Sequence, residues 1–253
     1  MTSFRAWLCT LKVYTQPASL RMLALGFSAG LPLLLVLGTL SFWLREAGID
    51  RTTIGYLSWV GLAYAFKWVW APLVDRLPLP GLTRRLGRRR SWLLLSQLLI
   101  AAGLLGMASQ NPQLALTPMV WSALVVAFGS ATQDIALDAY RIESASMQEQ
   151  AALAATYQTG YRLAMIWAGA GVLWVATLAQ GEQLGYAVRA WQVAYSVMAA
   201  CMVVGIVTVL LSPEPQPRPL PPSRSVQEWL HSALVAPFAD FIARYRWQAA
   251  LVL

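Results

Sequence analysis

Charged residues are scarce in this sequence, and their scarcity argues against a water-soluble fold. Asp, Glu, Lys and Arg make up 12% of the 253 residues, hydrophobic residues make up 58%, and the mean hydropathy is +0.53. A soluble domain of this length needs more polar side chains to cover its surface. The composition therefore predicts a protein that is surrounded by lipid.

Cysteine and histidine are scarce as well. Cys9 and Cys201 have neither the number nor the spacing of a disulfide framework or a metal site. His231 is the only histidine, and it follows the last long apolar run. The sequence holds no recognisable Ser/His/Asp arrangement or metal cluster, so it predicts no enzyme, no cofactor and no metal. A membrane-embedded acyltransferase or hydrolase is the disfavoured enzymatic alternative.

Long apolar runs dominate the first 211 residues. Crossing a bilayer takes about 20 apolar residues in a helix. Six runs are close to that length or exceed it: 22–44, 53–74, 91–110, 117–137, 153–179 and 190–211. The sequence thus predicts an all-α membrane protein with a six-helix bundle over 21–211, preceded by a cytoplasmic segment at 1–20.

Basic residues concentrate in alternate connectors between these runs. Fourteen Lys and Arg lie before the first run, in 75–90, in 138–150 and after 212, against three in the other connectors. Positive loops stay in the cytoplasm, so we expect a multi-pass protein with a cytoplasmic amino terminus. The net charge of +8 belongs to these loops and does not indicate nucleic-acid binding.

The composition changes after the sixth run. Residues 212–223 contain six prolines and predict an extended stretch within a cytoplasmic linker at 212–246. The linker also predicts a surface-lying amphipathic helix, with these apolar residues near one face: Trp229, Leu230, Leu234, Phe238 and Phe241. Residues 247–253 then begin a truncated seventh span. This organisation is typical of one half of a transporter built from two six-helix bundles.

Three segments carry a family resemblance. The loop between the second and third runs resembles the conserved loop of the major facilitator superfamily through Asp75, Arg76, Gly87, Arg88, Arg89 and Arg90. Three stretches resemble the AmpG family of muropeptide permeases: LGRRRSWLLLSQ (86–97), GSATQDIALDAYRIES (129–144) and ATYQTGYRLAMIWAGAG (155–171). The chain is therefore similar to the amino-terminal half of such a permease. It departs from the family by lacking the second six-helix half.

The resemblance implies a function in cell-wall recycling. Such permeases import anhydromuropeptides, GlcNAc-anhydroMurNAc peptides, from periplasm to cytoplasm across the inner membrane, driven by protons and linked to β-lactamase induction. The implied partners are the muropeptide, protons, the lipid bilayer, and a missing carboxy-terminal half or a second copy of the chain. Two alternatives stay open: a transporter of the related acetyl-coenzyme A family, and a half that does not transport by itself.

The fourth run carries charged residues at helical spacing. Asp134, Asp138 and Arg141 are separated by four and three residues, which places them on one helix face. A carboxylate at membrane depth costs about 3 kcal/mol, so this stripe should face a cavity or a partner. We expect Asp134, Asp138 and the neighbouring Gln133 to belong to the substrate or proton pathway. Arg141 is expected to gate the cytoplasmic mouth, with a solvated loop charge as the alternative.

The fifth run offers partners for those acids. Tyr157 and Tyr161 are four residues apart, as are Gln158 and Arg162 on an adjoining face. Asp134 and Arg162 are predicted at similar depth, so we expect them to pair. Such a pair is either a structural salt bridge or a site for a proton or an anionic muropeptide group. The tyrosines, with Trp167 and Trp174, are candidates for stacking on sugars.

The remaining candidate residues are one lysine, five glycines and five tryptophans. Lys67 lies about 12 Å from the end of the second predicted helix and either extends to the interface or faces the substrate. Glycines in the first and fifth runs predict close helix packing: Gly26, Gly30, Gly160, Gly169 and Gly171. Tryptophans near helix ends predict interfacial anchors: Trp43, Trp59, Trp92, Trp121 and Trp191.

Overall fold

The computed structural model of the chain describes residues 12–146, 149–216, 231, 235–236 and 239–243. Within this part the regular elements are all helical, and five helices are long and apolar enough to cross a bilayer. We label them α1 to α5: Pro17–Glu46, Arg88–Ala108, Leu116–Glu143, Gln150–Gln180 and Val188–Leu211. The predicted all-α membrane fold is confirmed. The predicted seventh span and most of the predicted amphipathic helix lie outside the described residues.

The second predicted span is not one continuous helix, so the count of six spans is not confirmed. Residues 51–76, the broken segment, form short α-helices and 3-10 turns: Arg51–Leu57, Ser58–Gly61, Leu62–Ala65, Lys67–Val69 and Ala71–Arg76. Gly55 and Gly61 lower the helix propensity, and Pro72 starts a new helix rather than extending one. Val60 and Val74 alone are buried in this segment, so little packing compensates. Two further short helices are Lys12–Thr15 and Leu82–Leu86.

Two long helices each contain a π-helical turn, Leu35–Thr39 in α1 and Trp167–Gly171 in α4. The two turns contact each other, and the Thr39 hydroxyl donates to the Ala168 carbonyl oxygen over 2.8 Å. A π-turn disturbs the regular hydrogen bonding of the helix backbone. The threonine gives one of these carbonyls a partner inside the bundle, where lipid could not supply one.

Helix α1 packs most extensively against α4, and glycine makes the close approach possible. A Cβ atom built at Gly26 would overlap the Tyr157 carbonyl, and one built at Gly160 would overlap the Leu23 carbonyl. The predicted close packing is confirmed for these two glycines and for Gly30, which faces the Tyr161 backbone. Reciprocal glycines on facing helices lock α1 and α4 in one register.

The core also contains aromatic residues that the sequence placed at the membrane surface. Trp43 is fully buried and stacks on Trp191 with ring centroids 5.8 Å apart, so the interfacial prediction is wrong for both. Each indole N–H has a partner: Trp43 donates to the Tyr186 hydroxyl over 3.0 Å, and Trp191 donates to the Glu46 carboxylate over 2.7 Å. Burial of the Tyr186 hydroxyl raises its pKa above the ordinary value of a tyrosine. Paired indoles can be buried at helix ends at little cost.

Replacing Gly160 with alanine should destabilise the bundle. The added methyl group meets the backbone of α1, and overpacking of this kind costs about 1–3 kcal/mol. We expect a lower thermal midpoint for the purified chain, measured by size-exclusion chromatography after heating. Gly55→Ala is the matched control, because a Cβ atom at Gly55 meets nothing within 4 Å. Equal midpoints for the two variants would contradict the role assigned to this glycine.

Candidate functional site

Asp134, in the middle of α3, has a lysine as its ionic partner. Its Oδ2 atom lies 3.8 Å from the Nζ atom of Lys67 in the broken segment, and the two side chains are 17% and 40% exposed. No ion pair joins Asp134 to Arg162 among the described residues, and Arg162 is exposed on α4. The predicted Asp134–Arg162 pair is therefore wrong.

The packing order of the helices explains the difference. The sequence argument placed α3 beside α4 because they are consecutive in the chain. Instead α4 packs mainly on α1, and the face of α3 that bears Asp134 meets the broken segment. Lys67 thus has its charge compensated within the bundle, although it is still partly exposed.

Three tyrosines lie near Asp134. Tyr64 from the broken segment and Tyr157 and Tyr161 from α4 all lie within electrostatic range of Asp134. The rings of Tyr157 and Tyr161 are 6.0 Å apart. We call Asp134, Lys67 and these tyrosines the Asp134 site. Within the described chain, Asp134 Oδ1 is buried without a hydrogen-bond partner, so the site has unused polar capacity.

Arg141 and Asp138 flank the Asp134 site on α3. An Nη2 atom of Arg141 lies 3.2 Å from Asp138 Oδ1, and the guanidinium lies 6.0 Å from the centre of the Tyr157 ring. The arginine therefore links α3 to α4 through a cation–π contact. The predicted stripe of Asp134, Asp138 and Arg141 is present on one side of the helix.

Two predicted site residues point elsewhere. Gln133 is fully buried in the interior of the bundle, and its Nε2 atom donates to Ser28 Oγ over 3.4 Å. Gln158 is exposed on α4, as is Arg162. The structure therefore brings Asp134, Lys67 and the tyrosines together and leaves these three outside that contact.

A second charged cluster, the Arg89 network, lies at the end of the bundle that holds residues 77–87. Arg89, at the start of α2, donates to both carboxylate oxygens of Glu143 over 2.9 and 2.6 Å and to Asp75 Oδ1 over 2.7 Å. The side chains of Arg89 and Glu143 are 7% and 8% exposed. The planar guanidinium matches this bidentate geometry, which a lysine could not reproduce.

The same network joins the ends of α2 and α5. The Glu214 carboxylate accepts the backbone N–H groups of Arg89 and Arg90 over 2.8 and 3.1 Å, which caps α2. Arg90 donates to the last carbonyls of α5, Val209 over 2.8 Å and Leu210 over 2.6 Å. A Cβ atom at Gly87, where φ is +86°, would overlap the Glu214 carboxylate. Gly87 thus allows the positive φ of the turn before α2 and also leaves room for the carboxylate that caps this helix.

Sequence reasoning missed Glu214, because it interpreted residues 212–223 by their prolines alone. A signal was available in the chain. An acid closely follows the end of α5, and α2 starts with three arginines whose backbone N–H groups need a cap.

Comparison with known proteins identifies the family. The sequence profile of the Major Facilitator Superfamily matches residues 22–252. The chain belongs to this superfamily. It is 41% identical over 234 residues to the anhydromuropeptide permease of Escherichia coli strain K12, an alignment that covers 92% of this chain and 44% of that permease. It is 33% identical over 234 residues to the transporter AmpG 4 of Rickettsia conorii, with 92% and 54% covered.

Membership in the major facilitator superfamily makes the chain a multi-pass membrane protein of a transporter family rather than an enzyme. The predicted resemblance to the AmpG permeases is confirmed by the two identities. The chain spans about half the length of the curated relatives it matches. It corresponds to the amino-terminal half of these major facilitator transporters.

Removing Glu143 should destabilise the protein strongly. Glu143→Ala leaves the Arg89 guanidinium buried without its main partner, and breaking a buried pair in this way costs about 3–5 kcal/mol. We expect a large drop in the thermal midpoint of the purified chain. Asp138→Ala is the matched control because the Asp138 side chain is 53% exposed, and ion pairs of exposed carboxylates contribute about 0–1 kcal/mol. A similar drop for both variants would argue against the buried network.

Proposed function

We propose that the chain is the amino-terminal half of an anhydromuropeptide permease of a bacterial inner membrane, with its amino terminus in the cytoplasm. Import from periplasm to cytoplasm for cell-wall recycling, coupled to protons, is the activity proposed for the whole transporter. The observation that carries the proposal is the 41% identity to an anhydromuropeptide permease over 92% of this chain. The Asp134 site lies within the aligned bundle and supplies a physical route to coupling.

Protonation of Asp134 can free Lys67 to bind an anion. A protonated Asp134 no longer attracts the Lys67 ammonium, which is then available to a carboxylate of the muropeptide. Loss of the proton restores the attraction and favours release of the substrate. The pair is suited to this exchange because it is long, at 3.8 Å, and because Lys67 is 40% exposed. Charged groups that persist at membrane depth are typical of such pathways.

Aromatic residues are the proposed contacts for the sugar rings. Tyr157 and Tyr161 present both a ring and a hydroxyl beside Asp134. Further along α4, Trp167 and Trp174 line an apolar pocket of about 340 Å³, with ring centroids 6.4 Å apart. We place the peptide carboxylates near Lys67 and the disaccharide along this face of α4. Gln158 and Arg162, which are exposed on α4, are proposed as further contacts in the pathway.

The Arg89 network is proposed to control the change between transporter states. It ties the ends of α2, α3 and α5 to Asp75 at the end of the broken segment. Alternating access requires the two halves of such a transporter to move about a shared central site. A rigid charged cluster at one end of this half would transmit that motion to the whole bundle. Arg141, which lies about 160° around α3 from Glu143, is the proposed gate.

Uptake of labelled GlcNAc-anhydroMurNAc peptide into cells that lack their own permease tests this proposal. The chain is expressed alone and together with the carboxy-terminal half of the Escherichia coli permease, with the full-length permease as positive control. We expect uptake by the combined halves that a protonophore abolishes. No uptake by the combined halves, with membrane insertion verified, would overturn the proposal. Uptake by the chain alone would indicate that two copies can form a working site.

Substitution of Lys67 by methionine tests the proposed exchange. The variant keeps the apolar length of the side chain but loses the charged contact, which contributes about 1.5–3 kcal/mol, or about tenfold or more in uptake. Arg45→Met, at an exposed position near the end of α1, is the matched control and should leave uptake unchanged. Normal uptake by a correctly inserted Lys67→Met variant would contradict the role of the lysine.

A further inference from the structure

The interior of the bundle contains a polar cluster that lies apart from the Asp134 site. Ser28 of α1, Gln97 of α2 and Gln133 of α3 are all fully buried, and they meet beside Gly205 of α5. We call these four residues the glutamine cluster. Residues from four helices thus meet at one polar cluster in a core that is otherwise largely apolar. Neither the loop motif nor the proposed transport function accounts for it.

Distances place the side chains of the cluster around a common point. Gln133 Nε2 lies 3.4 Å from Ser28 Oγ, which in turn lies 3.9 Å from the sulfur of Met202. A Cβ atom built at Gly205 would overlap both Ser28 Oγ and Gln97 Nε2. Both polar side chains therefore pack directly against this glycine, and its missing side chain is what lets them meet there.

Three polar atoms of the cluster have no hydrogen-bond partner among the residues that the structure describes. They are both side-chain atoms of the Gln97 amide and the Oε1 atom of Gln133. A buried amide that lacks partners is costly, and native proteins rarely leave one unsatisfied. Two such amides within one cluster indicate a ligand that both donates and accepts hydrogen bonds.

We propose that the glutamine cluster binds internal water. The cluster offers amide donors, amide acceptors and one hydroxyl, all of them neutral, and a bound water needs two to four such partners. A divalent cation fits poorly, because the cluster contains no carboxylate and no group of metal ligands occurs among the described residues. This inference does not depend on the proposed transport function.

The water would fix the rotation of α3. Gln133 directly precedes Asp134, so the two side chains leave the helix about 100° apart. Water held between Gln133, Gln97 and Ser28 connects α3 to α1 and α2 at this depth. It thereby holds Asp134 toward Lys67 on the neighbouring face of the helix.

X-ray radiolysis with mass spectrometry tests for this water, because radiolysis of a bound water produces hydroxyl radicals that oxidise a sulfur next to it. Met202 is fully buried but contacts Ser28, whereas the equally buried Met22 and Met107 lie in apolar surroundings and serve as controls. In the intact chain in lipid nanodiscs, we expect Met202 to be oxidised several-fold faster than either control. Equal rates at the three methionines would overturn the proposal and favour direct pairing of the two amides.

Two variants check the source of the oxidation. Gly205→Ala places a methyl group against Ser28 Oγ and Gln97 Nε2 and so displaces both polar groups, and Gln97→Leu removes one amide of the cluster. In either folded variant the Met202 rate should fall to that of Met22 and Met107. An unchanged Met202 rate in folded Gln97→Leu would overturn the proposal, since the radicals would then come from elsewhere. Gln97→Leu keeps the test valid if Gly205→Ala does not fold.

Discussion

The structure depends on one constraint: hydrocarbon cannot hydrogen-bond, so each polar group inside the bundle needs a partner in the protein or in bound water. Burial imposes the same requirement at the end of the bundle, where the Arg89 guanidinium donates to Glu143 and Asp75 while the Arg89 backbone N–H donates to Glu214. One residue thereby connects α2, α3, the broken segment and the chain after α5. The same requirement explains why the Thr39 hydroxyl donates to a carbonyl in a π-turn of the facing helix.

The sequence predicted the five long helices well, because crossing a bilayer takes a length of apolar chain that can be counted directly. Counting apolar length does not test whether a helix is continuous. In 51–76 the apolar run is long enough, but it contains Gly55, Gly61 and Pro72, and few of its side chains are buried. Continuity depends on tertiary packing, which the sequence of a single segment does not contain.

The candidate site was predicted by residue type but not by pairing. Asp134 was identified from its cost at membrane depth and Lys67 from its position in the second predicted helix. Asp134 was nevertheless assigned to Arg162, because consecutive helices were assumed to pack together. The glycines at positions 26 and 160 were read as packing residues, and they do bring α1 against α4. That contact gives α4 a different neighbour from the one assumed. Local spacing finds which residues share a face, whereas the order of helices decides what the face meets.

Helix α3 presents polar chemistry on two sides, and the two sides differ in rigidity. Gln133 faces the packed interior, where four helices meet around Gly205. Asp134 faces the broken segment, in which Val60 and Val74 are the buried residues. Segments with few buried contacts open at lower free energy than a packed core. In the proposed exchange, the lysine and its segment should therefore move when the Lys67–Asp134 pair separates, while the aspartate stays fixed on α3.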